Sequence, residues 1–449
     1  MIKISRGLIL LLLGALILRV VVTAWSLQFR ENTDVIRYKD SARIAYLYGL
    51  DDAYTKKHLT FGTITLNQPP GSLYIIYSAY FLELQTAKII LKLTHTAPGN
   101  NLWVNGPLVT IFLKIPSIIA DLALGVLIYF FIIKFSSEKN ALTGSALFLF
   151  SPPVWYNSSF WGQMDALNNL MFFAAIFFLY QNKYFWTTLM CMLSIYIKFS
   201  LLTILPIFLY FLLIKMKMKF KYMLSIFLSC LILFILTFPI SKANLFWIFD
   251  FIKNNALGEM QFITNFAFNF WWVLFHPSIS LGNPDSLFSF SEIRLYNSPL
   301  DSSHYFFLPL FSWAIIFFIA ACLPILKKIY KLKEKILLPQ NALLVFCLLD
   351  LLSFIFLPRM HERYLYPLFP VMATLIGITG KYVKTFIIFS MLNFINLYIV
   401  WHPMQLGFLP YDVINNSNFQ WGISLITIVT AGIFYYKTLH TDFKYEKNK

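Results

Sequence analysis

LVTIFLKIPSIIADLALGVLIYFFII, residues 108–133, carries only Lys114 and Asp121 as charged groups and runs directly into KFSSEK at 134–139. About 20 consecutive apolar residues cross the hydrocarbon core of a bilayer as a helix. Barrel strands instead alternate apolar and polar residues over roughly 10 positions, and this run does not alternate. Similar runs recur along the chain. Of 449 residues, 59% are hydrophobic and 12% charged, against about 25% charged in soluble domains. In lipid every backbone group needs an internal partner, so continuous runs of this length read as helices. Trp and Tyr gather near the ends of the runs, as in interfacial belts.

The net charge of +16 sits largely in short loops beside these runs. It is assigned to the positive-inside rule, not to nucleic-acid binding. Basic loops also attract anionic membrane lipids, by about 1 kcal/mol per residue near the surface. The four cysteines, Cys191, Cys230, Cys322 and Cys347, lie in apolar stretches without metal-ligand spacing. They read as small hydrophobes. Lys3 and Arg6 precede an apolar run at 7–27 that exceeds a signal-peptide core, so it reads as a retained first span.

Two Lys-rich loops anchor the topology: KMKMKFK at 215–221 and LKKIYKLKEK at 326–335. Both should face the cytoplasm, as should the tail with Lys444, Lys447 and Lys449. From these anchors, 223–240 crosses outward and 241–302 is a long external segment. NFAFNFWWVLF (265–275) within it reads as a partly buried or re-entrant helix. Residues 303–325, 341–357, 364–380, 385–401 and 421–436 then cross in turn. In the first half, 108–133, 140–155 and 166–180 read as spans. The run 184–214, interrupted by Lys198 and Ser200, reads as two short helices. Residues 71–94 are either re-entrant around ELQTAK (83–88) or a span that shifts the count, and the orientation of 71–107 stays open. The expected fold is an all-α, polytopic transmembrane bundle of about 11–13 spans, one membrane domain over 1–449. Its first external loop, 28–70, holds surface helices, and 371–449 holds the last spans and the tail. Val35, Tyr38, Ala42, Ala45 and Tyr46 predict an amphipathic helix on the membrane surface.

The informative polar groups cluster at span ends on one predicted side: Asp34, Asn67, Gln68, Gln163, Asp165, Lys198, Asn269 and RMHER at 359–363. Transporters more often place ionisable groups at mid-span. Asp34 reads as a helix N-cap or as a general base for a hydroxyl. LNQPPGSLYIIY (66–77) starts a helix at its prolines and enters the membrane or shapes a cleft. WGQMD (161–165) reads as belt and cap, or as a sugar site, with Trp161 under a sugar's apolar face and Gln163 and Asp165 on its hydroxyls. Lys198 either snorkels to the interface or holds a lipid phosphate. Arg359 and Arg363 suit bidentate phosphate binding, with His361 as a further donor.

These segments resemble the GT-C class of membrane glycosyltransferases. They are similar to the branch of the GPI-anchor mannosyltransferase and of the dolichyl-phosphate-glucose-dependent enzymes of asparagine-glycan assembly. TDVIRYKDSARIAYLYG (33–49), NQPPGSLYI (67–75), KIPSIIADLALGVLIYF (114–130), SPPVWYNSSFWGQMDALNN (151–169), IKFSLLTILP (197–206), NFAFNFWW (265–272) and PRMHERYLYP (358–367) carry the resemblance, in the family's order. It implies an acidic catalytic residue in the first external loop, a place that Asp34 occupies with Asp40 as rival. It implies donor recognition by His361 and Glu362. The family's Asp-Tyr-Pro-Pro stands here as Asn67–Gln68–Pro69–Pro70, which removes a carboxylate.

The implied activity is inverting hexosyl transfer, of mannose or glucose, from a polyprenyl-phosphate sugar to a glycan, glycolipid or protein hydroxyl on the extracytoplasmic face. Asp34 is the base, and Gln163, Asp165, Lys198, Asn269, Arg359, His361, Glu362 and Arg363 bind substrate. No cofactor is expected. The leaving group is a lipid monophosphate, and no carboxylate cluster suits Mg²⁺. The expected location is the plasma membrane of a prokaryote, ahead of the endoplasmic reticulum. The rival classes are a transporter or lipid flippase, which would carry inverted repeats and mid-span charges, and a non-catalytic scaffold. Arg19, Asp121 and Asp350 stand out inside spans, and the two acids read as buried partners.

Overall fold

The computed structural model describes residues 5–29, 33–57, 66–94, 106–217, 220–242, 244, 246–255, 260–280, 294–401 and 409–443. In chain order the helices are α1 (Arg6–Ser26), α2 (Thr33–Tyr48), α3 (Asp52–Thr55), α4 (Pro70–Thr94), α5 (Pro107–Ile133), α6 (Glu138–Leu149), α7 (Pro152–Trp155), α8 (Asp165–Leu179), α9 (Tyr184–Ile197) and α10 (Leu205–Met216). They continue as α11 (Phe220–Ser241), α12 (Trp247–Asn255), α13 (Phe270–Phe275), α14 (Leu310–Leu332), α15 (Pro339–Phe356), α16 (Leu368–Thr379), α17 (Val383–Val400), α18 (Tyr411–Ile414) and α19 (Ser417–Lys437). Among the described residues, strands form only three short pairs: Thr264–Asn265 with Met360–His361, Ser278–Ser280 with Arg294–Tyr296, and His304–Tyr305 with Leu308–Pro309. Seven helices of the described residues are long and apolar enough to cross a bilayer: α1, α5, α11, α14, α15, α17 and α19. The chain is therefore an all-α, polytopic integral membrane protein.

The count of long spans is below the expected 11–13, for local reasons. Ser151–Pro152–Pro153 ends the run at 140–155, because the residue before a proline leaves the helical region. What remains is α6, of 12 residues. The expected span at 364–380 begins with a 3₁₀ turn and Pro367 and ends at Gly380 with φ 69°, leaving α16 also at 12 residues. At 1.5 Å per residue such helices are about 18 Å long, well short of a bilayer core. Residues 303–309 form the hairpin of the third strand pair, so α14 starts at Leu310. It then continues through the expected Lys loop to Leu332, followed by a 3₁₀ turn over Lys333–Leu337. The helix α4 passes unbroken through residues 83–88, so the backbone shows no re-entrant break there. The run 184–214 does divide, at Lys198, whose φ of −158° and ψ of 140° are extended. Residues 95–105 and the tail lysines 444–449 lie outside the described residues.

The chain folds as two compact units. Unit 1 comprises Met1–Leu127, Val154–Leu202 and Lys215–Leu257; unit 2 comprises Ile128–Pro153, Thr203–Ile214 and Gly258–Lys449. In unit 1 the face of α2 expected to lie on the membrane surface is buried against protein instead. Val35, Tyr38, Ala42 and Ala45 pack with Leu73, Ile76, Ala79 and Tyr80 of α4, and Tyr46 remains exposed. Deeper in unit 1, Arg19 and Asp121 form an ion pair at 3.0 Å with both side chains fully buried. Ser158 Oγ donates to the same carboxylate oxygen at 2.6 Å. One buried charge thus ties α1 and α5 to the segment after α7, and Asp121 is the buried partner that was expected. Asp350 is buried in α15 of unit 2, and its Oδ2 has no hydrogen-bond partner among the described residues.

In unit 2 small residues let helices approach closely, the usual means of helix association in lipid. A Cβ on Gly144 or Gly377 would lie 2.4 Å or 2.3 Å from Cδ1 of Ile132. All four cysteines are free, with Cys191, Cys322 and Cys347 buried and Cys230 exposed.

Candidate functional site

The first cluster belongs to unit 1 and is built on α2. Residue 34 lies inside the first helical turn, one position after the start at Thr33, so it is not the N-cap. A carboxylate there is favoured by the helix dipole. Asp34 Oδ2 accepts a hydrogen bond from Gln163 Nε2 at 2.5 Å. One turn further along α2, Tyr38 donates its hydroxyl to Gln163 Oε1 at 3.4 Å and accepts from Gln68 Nε2 at 3.0 Å. Tyr54 donates to the Gln68 carbonyl at 3.0 Å, and Gln68 Oε1 is buried without a hydrogen-bond partner among the described residues. Asp34, Gln163, Tyr38 and Gln68 therefore form one hydrogen-bonded chain drawn from three separate stretches of sequence. Asp34 is partly exposed, whereas its rival Asp40 is buried on the same helix.

Gln163 is aimed by unusual backbone. Tyr156–Trp161 is a π-helix closed by Gly162 at φ 87°, and π-turns of this kind are rare and frequent at functional sites. Both Gly162 N and Gln163 N donate to Asn157 O at 3.0 Å. A Cβ on Gly162 would also crowd the side chains of Val35 at 3.0 Å and Lys114 at 3.2 Å. Lys114 is buried and donates to Ser26 Oγ at 2.6 Å and to the Phe160 carbonyl at 2.8 Å, so it clamps the π-helix. Ser117 Oγ donates to the Gln163 carbonyl at 2.7 Å. Trp161 is buried rather than presented as a flat face for a sugar. Asp165 opens α8 and pairs with Lys198 at 2.5 Å. Asn157 Nδ2 donates to the second Asp165 oxygen at 3.4 Å. The break in the α9–α10 run is what brings Lys198 to this carboxylate, so the lysine is locally neutralised and is not an open cation.

The second cluster belongs to unit 2. Met360–His361 pairs in parallel with Thr264–Asn265, and Arg359 N donates to the Ile263 carbonyl at 3.0 Å. Arg359 holds φ at 59°. That conformation costs a side-chain-bearing residue of order 1–3 kcal/mol and is typical of functional or tightly determined positions. Its Nε lies 2.5 Å from Asp301 Oδ2. Glu362 is buried; Arg363 Nη1 donates to Glu362 Oε1 at 2.8 Å, and His361 Nδ1 lies 3.8 Å from Oε2. Burial alone pushes the Glu362 carboxyl up, but the Arg363 charge and neighbouring His361 outweigh it and hold it below its usual range. Asn393 Nδ2 donates to the Glu362 carbonyl at 2.7 Å. The two arginines expected as open phosphate grips thus each carry a carboxylate partner. His361, with a side chain 20% exposed, is the most open titratable group of the set.

Asn269 is fully buried and committed to backbone. It caps α13 by accepting from Trp271 N and Trp272 N, and its Nδ2 donates to the Phe354 carbonyl at 3.1 Å. A substrate-binding role is therefore not supported by its geometry. The sequence reading missed Tyr38, Lys114 and Asp301. Tyr38 is four residues from Asp34, one helical turn away, and that spacing was a usable signal. Nothing local marks Asp301, which is set beside Arg359 only by the tertiary fold. Among the described residues no group of His, Cys, Asp or Glu is arranged to hold a metal. No protein-family model matches the chain, and no match is found among curated proteins.

Proposed function

We propose that the chain is an inverting glycosyltransferase of GT-C type that moves a hexose from a polyprenyl-phosphate donor to a hydroxyl acceptor on the extracytoplasmic face. The supporting observation is the hydrogen-bonded chain Asp34–Gln163–Tyr38–Gln68. It unites residues of the first-loop, Pro-Pro and WGQMD segments, which carry the resemblance, around one partly exposed carboxylate.

In this reading the acceptor oxygen attacks C1 of the sugar and its proton passes to the Asp34 carboxylate. The C1–O bond to phosphate breaks, and the electron pair leaves with the polyprenyl phosphate. The transition state has oxocarbenium character, as in other glycosyl transfers. Gln163 fixes the carboxylate, and the Asp165–Lys198 pair fixes the start of α8 behind it. Within unit 2, His361, the most open titratable group beside the arginines at 359 and 363, suits contact with an anionic phosphate. Positive-inside topology places the lysine-bearing helix ends in the cytoplasm, and the Arg359–Arg363 stretch lies at the other end of α15.

The test is transfer of labelled mannose or glucose from its polyprenyl phosphate by the full chain in proteoliposomes, supplied with glycolipid, lipid-linked glycan and peptide acceptors. Wild type should transfer, and Asp34→Asn should lose at least about 10²-fold. Absence of transfer by wild type to every acceptor overturns the proposal, and an unaffected variant overturns the base assignment.

A transporter or lipid flippase is the second reading. It is favoured by Asp350, a buried acid within a span whose Oδ2 has no hydrogen-bond partner among the described residues, because ionisable residues inside membranes mark transport pathways by default. Substrate flux without transfer, abolished by Asp350→Asn, would establish it.

A further inference from the structure

One end of unit 2 is strongly basic. The end of α5 and the start of α6 meet the end of α16 there, since a Cβ on Gly377 would lie 2.3 Å from Ile132 Cδ1 and 3.1 Å from the Asn140 carbonyl. Tyr382, at the turn into α17, stacks edge-on against Phe434 near the end of α19, with ring centroids 5.3 Å apart. Tyr435 donates to the Ala321 carbonyl of α14 at 2.7 Å. The ends of α5, α6, α16, α17 and α19 are thereby gathered, with α14 packed against the end of α19 from its midpoint onward, and each is followed or preceded by lysine. Lys139, Lys327, Lys331, Lys333, Lys335 and Lys384 are exposed there, against the exposed Glu138 and Glu334. Lys327 and Lys331 are four residues apart on α14 and share one side of it, while Lys333 and Lys335 follow in the 3₁₀ turn after the helix ends at Leu332.

The lysines sit just beyond helices that are apolar and outward-facing: Ile319, Leu323, Leu326 and Tyr330 of α14 are all exposed. Apolar side chains meeting acyl tails with ammonium groups one turn beyond match the layering of a leaflet, in which phosphates lie directly outside the hydrocarbon. Ammonium groups within a Debye length of about 8 Å of anionic lipid attract it strongly, and zwitterionic lipid only weakly. A soluble polyanion offers the same phosphate but no acyl tail for the apolar face below.

We propose that this lysine rim is a binding surface for the headgroups of anionic phospholipids, which collect around unit 2 as a selective annulus. The surface is independent of the catalytic reading. The test uses the full chain in neutral detergent, supplied with equal phosphatidylglycerol and phosphatidylcholine, with retained lipid counted by native mass spectrometry. Wild type should retain phosphatidylglycerol preferentially, and each lysine changed to glutamine should weaken that preference by roughly fivefold at low salt. Lys327→Gln/Lys331→Gln/Lys335→Gln should abolish it, and the Lys→Arg triple variant should keep it. Equal retention of both lipids by wild type, or undiminished preference in the glutamine variant, overturns the proposal. If glycerol phosphate at millimolar concentration strips the lipid completely, the rim reads phosphate alone and the lipid assignment is likewise overturned.

Discussion

Asp121→Asn tests the buried electrostatics that organise unit 1. In the native protein one carboxylate oxygen accepts from Arg19 Nε at 3.0 Å and from Ser158 Oγ at 2.6 Å, while Arg19 Nη2 lies 3.0 Å from it. Both charged side chains have no solvent exposure, so Arg19 has no water to turn to once its partner is neutral. Its Nη1 also donates to the Ala15 carbonyl at 3.1 Å. Hydrogen bonds to charged groups contribute about 1.5–3 kcal/mol each. Losing the charge behind two of them agrees with the 3–5 kcal/mol found when a buried pair is broken from one side. Replacing both ions, as Arg19→Met with Asp121→Asn, removes the unpaired charge and should recover all but about 2 kcal/mol. The assay is reversible unfolding of the full chain in mixed micelles, closed as a double-mutant cycle. Ordinary interhelical hydrogen bonds in membranes couple by about 0.6 kcal/mol, and by no more than about 1.7 kcal/mol. A coupling above about 2 kcal/mol is expected here, and one below about 1 kcal/mol would refute the claim that the ion pair organises these helices.

Three further outcomes follow from particular contacts. Gly71→Ala should destabilise by about 1–3 kcal/mol in thermal unfolding, because the new Cβ would lie 2.6 Å from the Tyr196 carbonyl oxygen, a backbone atom. Glu362 has a folded-state acidity held below its unfolded value near 4.3. Its contribution to stability is therefore present above that pH and is lost as pH falls through the lower folded value. Glu362→Gln should flatten the acid limb of the stability profile, and an unchanged limb would show that the Arg363 contact carries no linkage. Gln163→Leu should leave the protein folded yet reduce sugar transfer by about 10-fold or more through misplacement of Asp34, measured as kcat in the proteoliposome assay.

Much of the fold follows from the apolar runs themselves. The run at 108–133 becomes α5, 341–357 becomes α15, and 385–401 becomes α17, because a backbone in lipid has no alternative to internal hydrogen bonding. The break at Lys198 was also legible, since a lysine within an apolar run disfavours a continuous span. The shortened helices α6 and α16 were less so: proline pairs and a left-handed Gly380 set where hydrogen bonding stops, and hydropathy is blind to both.

For the candidate site, the sequence determined which side chains are available; only the tertiary structure decided what they hold. Asp34 and Gln163 are far apart in the chain, and their contact depends on a π-helix whose register is fixed by Ser158, Lys114 and Gly162. Lys198 and Arg359, read as open cations, meet Asp165 and Asp301 instead. Local residue patterns encode hydrophobic period and helix ends, which are properties of neighbouring positions. Pairing of a charge with a distant carboxylate is a property of packing, and it emerges when desolvation makes an unpaired charge more costly than any other arrangement the chain can reach.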